Sequence, residues 1–538
     1  MYQVTLTRAH FPAQSDDFVE ETTVPGVLFA AASDSPGEAA LREALLNGEI
    51  GRRWTYRQLA DDVERLAASL ITHFAPGERI AIWAPNIPEW AILEFAAGLA
   101  GLTLVTVNPA YQPKELRYVL EQSRSVGLFL VREYRGNPMA DIARTVCAEL
   151  PQIRRIVDLE DKDVLLERGA QTRALPAIAP SDPVQIQYTS GTTGFPKGAV
   201  LHHRGLVNNA RLTLNRMEVT KGDTYLNFLP MFHTSGCAVA LLGSVQKRAP
   251  IILAKLFDPA RMNALIEREK VDVLMGVPTM LIGMLEALER EKRDVSSLRV
   301  AISGGAMVPP ELIKRFEAAF GCRFGIVYGQ TETSPVLTQT RLTEAFADKT
   351  ETIGQPLPQT ELSIRDPQSN AVVPVGQVGE ICARGYCTMI GYNDNPDATA
   401  KTVDRDGWLH TGDLGTMDSR GYLKVTGRVK DMIIRGGENL FPAEIENVLL
   451  THPAVAEVAV VGVPDAKWGE IAVAFFRAAP GSLPSREELV AHCRREMAGP
   501  KTPAHFVVVD GFPQTGSGKI QKFVLREKFE AGAFPHRL

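Results

Sequence analysis

The sequence has no apolar run long enough to cross a bilayer. Its longest apolar stretch, Trp90 to Val107, carries Glu94 and two glycines, and reads as a buried helix followed by a strand. The opening Met1-Tyr-Gln-Val-Thr-Leu-Thr-Arg-Ala-His10 has no apolar core of a secretory leader, so a cytoplasmic protein is expected. Cysteine is scarce, six in 538 residues, and only Cys382 and Cys387 stand near each other. No second pair or His cluster completes a zinc site, and free thiols are expected. An excess of one charge is lacking too. Lys and Arg number 58 against 63 Asp and Glu, a net −5, which gives no electrostatic case for nucleic acid or an anionic membrane surface. Peripheral membrane contact and homo-oligomer formation are left open by these counts. There is no internal repeat and no low-complexity tract. What remains is an ordinary globular composition, 45% hydrophobic and 22% charged, on a chain too long for one core.

Residues 1 to about 50 read as a lead-in. From Trp54 to Leu70 the spacing of Leu59, Val63, Leu66 and Leu70 predicts a helix. Strand Arg79–Trp83, a helix from about Glu89 to Ala100, strand Leu102–Val107, helix Pro113–Gln122 and strand Val126–Val131 follow. Strands alternating with helices predict a parallel, helix-flanked sheet, hence an α/β fold. Past Glu361 short alternating runs, Thr360–Ile364, Glu380–Ala383 and Leu423–Val425, predict antiparallel strands. A separate α/β pattern begins beyond Met432. The expected division is therefore a large unit, residues 1–429, and a small one, residues 430–538, with the boundary near Lys430.

The stretch with the most chemistry is Tyr188-Thr-Ser-Gly-Thr-Thr-Gly-Phe-Pro-Lys-Gly198, which follows a predicted strand, Val184–Tyr188. Thr189, Ser190, Thr192 and Thr193 alternate with Gly191 and Gly194. Glycines let backbone N–H groups turn toward one point, and hydroxyls add short donors. Lys197 adds a cation at the rim, so the concavity suits a polyanion. It is not the common P-loop, which has four residues between its glycines where this stretch has two. A surface turn rich in Gly and Thr is the plainer alternative.

Other candidate residues lie at predicted strand ends, where parallel α/β sheets bind ligands. Leu229-Pro-Met-Phe-His233 offers Met231, Phe232 and His233 to a pocket. Val277 ends another strand, and Gly304-Gly305-Ala306 a third. Tyr328-Gly-Gln-Thr-Glu332 offers a flat ring for a base, a hydroxyl at Thr331 and, at Glu332, a hard oxygen ligand for Mg²⁺. Thr411-Gly-Asp413 presents one carboxylate, able to hold a ribose diol, although Asp beside Gly is also the commonest turn residue. Near the far end, Gly516-Ser-Gly-Lys519 puts a lysine on a glycine-rich loop.

Together these motifs, with Gly427-Arg-Val-Lys-Asp431, occur in the order of the adenylate-forming (AMP-binding) superfamily, which the chain resembles from about Trp54 to Lys528. It is most similar to the medium- and long-chain fatty acyl-CoA synthetases, whose hinge-proximal loop reads much like Gly436-Gly-Glu-Asn-Leu-Phe-Pro442. The resemblance implies a large N-terminal domain with a β-rich subdomain and a small mobile C-terminal lid. It implies ATP, Mg²⁺ and coenzyme A, and a carboxylate that becomes an acyl-adenylate and then a thioester. Thr189 to Lys197 would cradle the β- and γ-phosphates. Gly305 and Ala306 would line the boundary between adenine and acyl group, and Tyr328, in the loop with Gly329, would stack on adenine. Thr331 would contact phosphate, Glu332 hold Mg²⁺, and Asp413 with Arg428 hold the ribose. Lys430 would be the hinge, and Lys519 would bridge the carboxylate and the α-phosphate. Gly436 and Gly437 would approach CoA, and Met231, Phe232, His233, Val277, Gly304 and Gly329 would line the acyl pocket. In the acetate-specific branch the position of Gly329 holds tryptophan, so glycine there implies either an open pocket floor or a turn with φ > 0, which forbids other residues. In the peptide-synthetase branch the position of His233 usually carries Asp. Aryl-CoA ligases resemble the chain closely enough to remain the alternative.

Overall fold

The structure is a computed structural model that describes residues 2–161, 174–189, 196–436, 438–479, 481–513, 520–534 and 538. Two large sheets dominate. The first has seven strands in the order Gly391–Tyr392, Lys197–His202, Pro183–Thr189, Thr103–Val107, Arg79–Trp83, Gly127–Leu130 and Arg155–Asp158. Its last five are parallel; Lys197–His202 runs back antiparallel to Pro183–Thr189. The second sheet has nine strands, with Arg323–Gly329, Val300–Gly304, Val273–Gly276, Tyr225–Asn227 and Ile251–Ala254 side by side and parallel.

One hydrophobic core joins these sheets, since it takes buried side chains from both and from the helices between them. Helix Pro88–Leu99 shows why. It is buried on every side from Pro88 to Gly98, as a helix held between two sheets must be. Glu94 lies wholly inside, and burial pushes its carboxyl well above the usual range. On the outer side of the nine-stranded sheet, helices Pro259–Glu269, Pro278–Arg290 and Pro310–Phe320 cover a second core. Each carries proline at its N-terminus, where the missing N–H costs nothing.

The third sheet is antiparallel: His10–Phe11, Thr360–Arg365, Gly379–Gly385, Leu409–Met417 and Leu423–Arg428. The alternation expected of half-covered strands is not kept: Gly379 to Ala383 are buried in an unbroken run. From Ile433 onward a fourth sheet forms from Glu438–Leu440, Ile433–Arg435, Gly469–Ala478 and Val455–Asp465, with His505–Val508 added along Gly469–Ala478. It has a core on each face. The turn Val429–Asp431 joins the third sheet to the fourth. Among the described residues no helix is long and apolar enough to cross a membrane.

The lead-in expected over residues 1 to 50 is structured. Helix Val24–Asp34 and the hairpin strands Ala39–Ala44 and Ile50–Thr55 occupy it. The next helix consequently starts at Tyr56, capped by the Thr55 hydroxyl and the Gln58 side chain.

Candidate active site

The end of one parallel strand of the second sheet meets the antiparallel third sheet. Strand Arg323–Gly329 delivers Tyr328 there, and the phenol donates to Asp413 Oδ2 at 2.9 Å. Asp413 sits on Leu409–Met417, directly across the ladder from Arg428. Its other oxygen lies 3.0 Å from Arg428 Nε. The carboxylate is thus buried and oriented from two sides, while the guanidinium is about half exposed, at 48%. Burial and then the Asp413 charge push the Tyr328 phenol far above its ordinary range, so it stays a donor. A carboxylate held this way keeps lone pairs for a vicinal diol.

Beyond Tyr328 the chain makes a single 3-10 turn, Thr331–Thr333. Glu332 is buried there and accepts from the Tyr392 hydroxyl at 2.7 Å. Lys197 lies over the Tyr392 ring, 4.9 Å from its centre. Glu332 and Lys197 are therefore brought into one neighbourhood through Tyr392. Thr189 and Lys197 are cross-strand partners, and the Thr189 hydroxyl reaches the Lys197 carbonyl at 3.4 Å. The two ends of the Gly/Thr stretch are thus pinned side by side. Ser190, Gly191, Thr192, Thr193 and Gly194 lie outside the described residues, as do Gly437 and Lys519. Gly436 is described, with φ +59° and its N–H donating to the Trp468 carbonyl at 2.7 Å.

The 229–233 turn is clamped by a residue that the sequence reading passed over. Asn86, in the turn after strand Arg79–Trp83, donates to Leu229 O at 2.9 Å and accepts from Met231 N at 2.9 Å. Thr106 donates to Phe232 O at 3.0 Å. Met231 faces the main core and is fully buried, whereas Phe232 is half-buried and His233 exposed, their rings 4.5 Å apart. Met231 therefore supports this turn from below. Gly305 has φ +77°, and a Cβ there would meet only Val277 Cγ1, at 3.7 Å. Gly304 differs, since a Cβ would come within 2.5 Å of the Val327 carbonyl. Ala306 follows in the same loop, beyond the strand end.

At Gly329 φ is not positive, and space rather than handedness excludes a side chain. A Cβ there would lie 1.9 Å from the Pro335 carbonyl oxygen, which also accepts from Gln330 N. The position admits no side chain because backbone closes over it, so its lack of one says nothing about how deep a pocket is.

The family model described as AMP-binding enzyme matches residues 28–393, and that of the AMP-binding enzyme C-terminal domain matches residues 444–519. The chain belongs to the AMP-binding enzymes. It is 40% identical over 516 residues to the putative acyl-CoA synthetase YngI of Bacillus subtilis, covering 90% of this chain and 94% of that one. It is 35% identical to the mitochondrial medium-chain acyl-CoA ligase ACSF2 of Macaca fascicularis, covering 91% and 85%. Among solved structures, the o-succinylbenzoate CoA synthetase MenE of Bacillus subtilis, in complex with its acyl-adenylate intermediate, superposes with a TM-score of 0.81 at 30% identity, over 94% of this chain and 98% of that one. As an AMP-binding enzyme of this kind, the chain is an AMP-forming acid–thiol ligase, an acyl-CoA ligase that uses ATP and CoA.

Proposed function

We propose that the chain is a fatty acyl-CoA ligase. A fatty acid carboxylate oxygen attacks the ATP α-phosphorus, the bond to the β,γ-phosphate breaks, and pyrophosphate leaves. The CoA sulfur then attacks the acyl carbonyl, loses its proton to water, and AMP departs. The observation that carries the nucleotide half is the Tyr328–Asp413–Arg428 arrangement, one carboxylate oriented at a strand end from two sides. The acyl half is supported by candidates that, His233 apart, are apolar or uncharged, namely Phe232, Val277, Gly304 and Gly305, and by the likeness to a medium-chain acyl-CoA ligase.

Catalysis in this reading is positioning plus charge neutralisation, because two anions must meet at phosphorus. Lys197 and the Gly/Thr stretch neutralise the outgoing phosphates. Glu332 would hold Mg²⁺ through its carboxylate, and the ion would supply positive charge against the phosphates. Thr331 contacts phosphate, and Lys519 bridges the two reacting anions. Residues 430–538 act as a lid that turns about Lys430, carrying Lys519 away and bringing the Gly436–Gly437 loop up to CoA.

The deciding experiment offers purified protein ATP, Mg²⁺ and CoA with a panel of straight-chain and aromatic carboxylates, and reads the acyl-CoA by mass spectrometry. Octanoyl- to palmitoyl-CoA is expected. Each buried methylene contributes about 0.8 kcal/mol, so kcat/KM should climb with chain length until the pocket ends. A benzoate or succinylbenzoate preference would establish the aryl-CoA ligase reading instead.

A further inference from the structure

Asp413 is carried by a bulge. Between strands Gly379–Gly385 and Leu409–Met417, Glu380 faces Leu414 and Cys382 faces His410. Ile381 alone therefore stands opposite Thr411, Gly412 and Asp413. Residues extruded from a ladder lose their ladder hydrogen bonds, and their backbone must find other partners. Here the Thr411 hydroxyl donates to Ile381 O at 2.7 Å, and Asp413 N donates to the Thr411 hydroxyl at 3.1 Å. Gly412 N donates to the side chain of Glu380, at Oε1, 2.9 Å away. A buried carboxylate takes the place of the missing strand.

That carboxylate is held in turn. Glu380 Oε2 is 2.7 Å from His410 Nδ1, and His410 Nε2 is 3.5 Å from Asp404 Oδ2. Asp404 is fixed by the backbone N–H groups of Asp406 and Trp408, each at 2.9 Å. No step of the proposed reaction uses Glu380, His410 or Asp404. Resting on the reading of Asp413 as the ribose ligand, we propose that Asp404, His410 and Glu380 form a positioning relay that sets affinity for the nucleotide's ribose diol. The relay fixes the bulge, the bulge fixes the Asp413 backbone, and Tyr328 and Arg428 then fix its carboxylate.

The charge state of the relay matters. The hydrogen bond to Glu380, with the charges of Glu380 and Asp404, raises the His410 pKa above its ordinary value against burial, which lowers it. Cys382, 3.4 Å away on the same strand as Glu380, is a neutral thiol because burial pushes it up, and Arg365 on strand Thr360–Arg365 acts on that thiol. The cation is therefore present below the raised pKa and is lost as pH rises through it. A neutral ring keeps the Nδ1 proton for Glu380 and releases Asp404, so ribose affinity should fall with rising pH.

The test measures KM and kcat by pyrophosphate exchange for ATP and for 2′,3′-dideoxy-ATP, which has no diol. Contacts made equally in ground and transition states move KM and leave kcat alone. His410→Ala should raise KM for ATP about tenfold, the scale of one charge-assisted hydrogen bond. KM for the dideoxynucleotide and kcat should not move. His410→Gln, which can still donate to Glu380, should restore most of the affinity and abolish the part of the pH dependence absent from the dideoxynucleotide. Glu380→Ala should act like His410→Ala. A His410→Ala enzyme with unchanged KM, or with both KM values raised alike, overturns the relay, as does a His410→Gln enzyme with the wild-type pH profile. Wild-type protein that does not distinguish the two nucleotides overturns the ribose reading of Asp413 instead. Wild-type protein without exchange overturns the ligase reading together with the relay.

Discussion

Arg428 and Lys430 stand two residues apart, and their surroundings differ in kind. Arg428 closes a strand, faces Asp413 across the ladder and is ion-paired to it at 3.0 Å. Lys430 sits in the 3-10 turn Val429–Asp431, none of whose residues is buried. On one side of this short span is a carboxylate fixed by Tyr328, Arg428 and a bulge with its own hydrogen bonds. On the other is a single turn with no buried residue before a sheet with separate cores. The enzyme proposed above would keep its nucleotide through two half-reactions and exchange the groups above it, and so would need both a binding side that does not move and a joint that can, directly beside it.

The largest expected effect lies on the moving side. If Lys519 neutralises charge only during adenylation, Lys519→Ala should slow acyl-adenylate formation by ~10²–10³, the usual loss for one transition-state electrostatic contact. Thioester formation from supplied acyl-adenylate should survive, and rapid-quench assays of the two steps separate them. Equal damage to both would assign the residue a structural role. Lys430→Pro attacks the joint itself. Proline fixes φ near −65°, and a hinge must change φ and ψ. Adenylation should persist while thioester formation is lost; normal rates in both steps would remove Lys430 from the hinge.

On the fixed side the effects should be smaller and fall on affinity. Asp413→Ala removes an acceptor of charge-assisted hydrogen bonds, each worth about 1.5–3 kcal/mol, so KM for ATP should rise roughly 10- to 150-fold. Steady-state kinetics with varied ATP checks this, and an unchanged KM would separate Asp413 from the nucleotide. Gly329→Ala should act on folding as well. Its Cβ would sit 1.9 Å from the Pro335 carbonyl, and the strand-end loop must shift to admit it. A loss of about 1–3 kcal/mol, seen in thermal melts, is the scale of such overpacking. A variant as stable as wild type would show that the loop has room.

The two sides also differed in how well they could be read. Arg79–Trp83, Pro113–Gln122 and Val184–Tyr188 announced themselves by their apolar pattern, and the structure has strands or helices there, within a residue or so. Strand Ile50–Thr55 did not, because its Arg52 is a strand residue satisfied by Glu43 and Glu89 from elsewhere in the fold. Strand Gly469–Ala478 is buried on both faces and lacks alternation. Tyr328 and Asp413 could be singled out because each stands beside a glycine at the end or bulge of a strand, and Glu332 because it follows Tyr328 in the same polar loop. Asn86, Tyr392, Glu380 and His410 were not. Each works by reaching across to another strand or turn, and no local pattern encodes that partner.

The smallest effect isolates the bulge from its neighbours. Gly412 has φ +73°, and a Cβ there would meet nothing within 4 Å. Its glycine answers to conformation alone, unlike Gly329, which answers to space. Gly427, on the facing strand, also has nothing within 4 Å and no positive φ. Left-handed backbone costs an ordinary L-residue about 1–2 kcal/mol, and Asn less. Gly412→Ala should therefore lower stability by about 1 kcal/mol, with Gly412→Asn between it and wild type, and Gly412→Val should cost most because branched residues resist that conformation. Gly427→Ala should be neutral or slightly stabilising, since it restricts only the unfolded chain. Denaturant melts of the four variants should give that order. If Gly412→Ala matches Gly427→Ala, the bulge is not held left-handed, and the turn that presents Asp413 is softer than its hydrogen bonds imply.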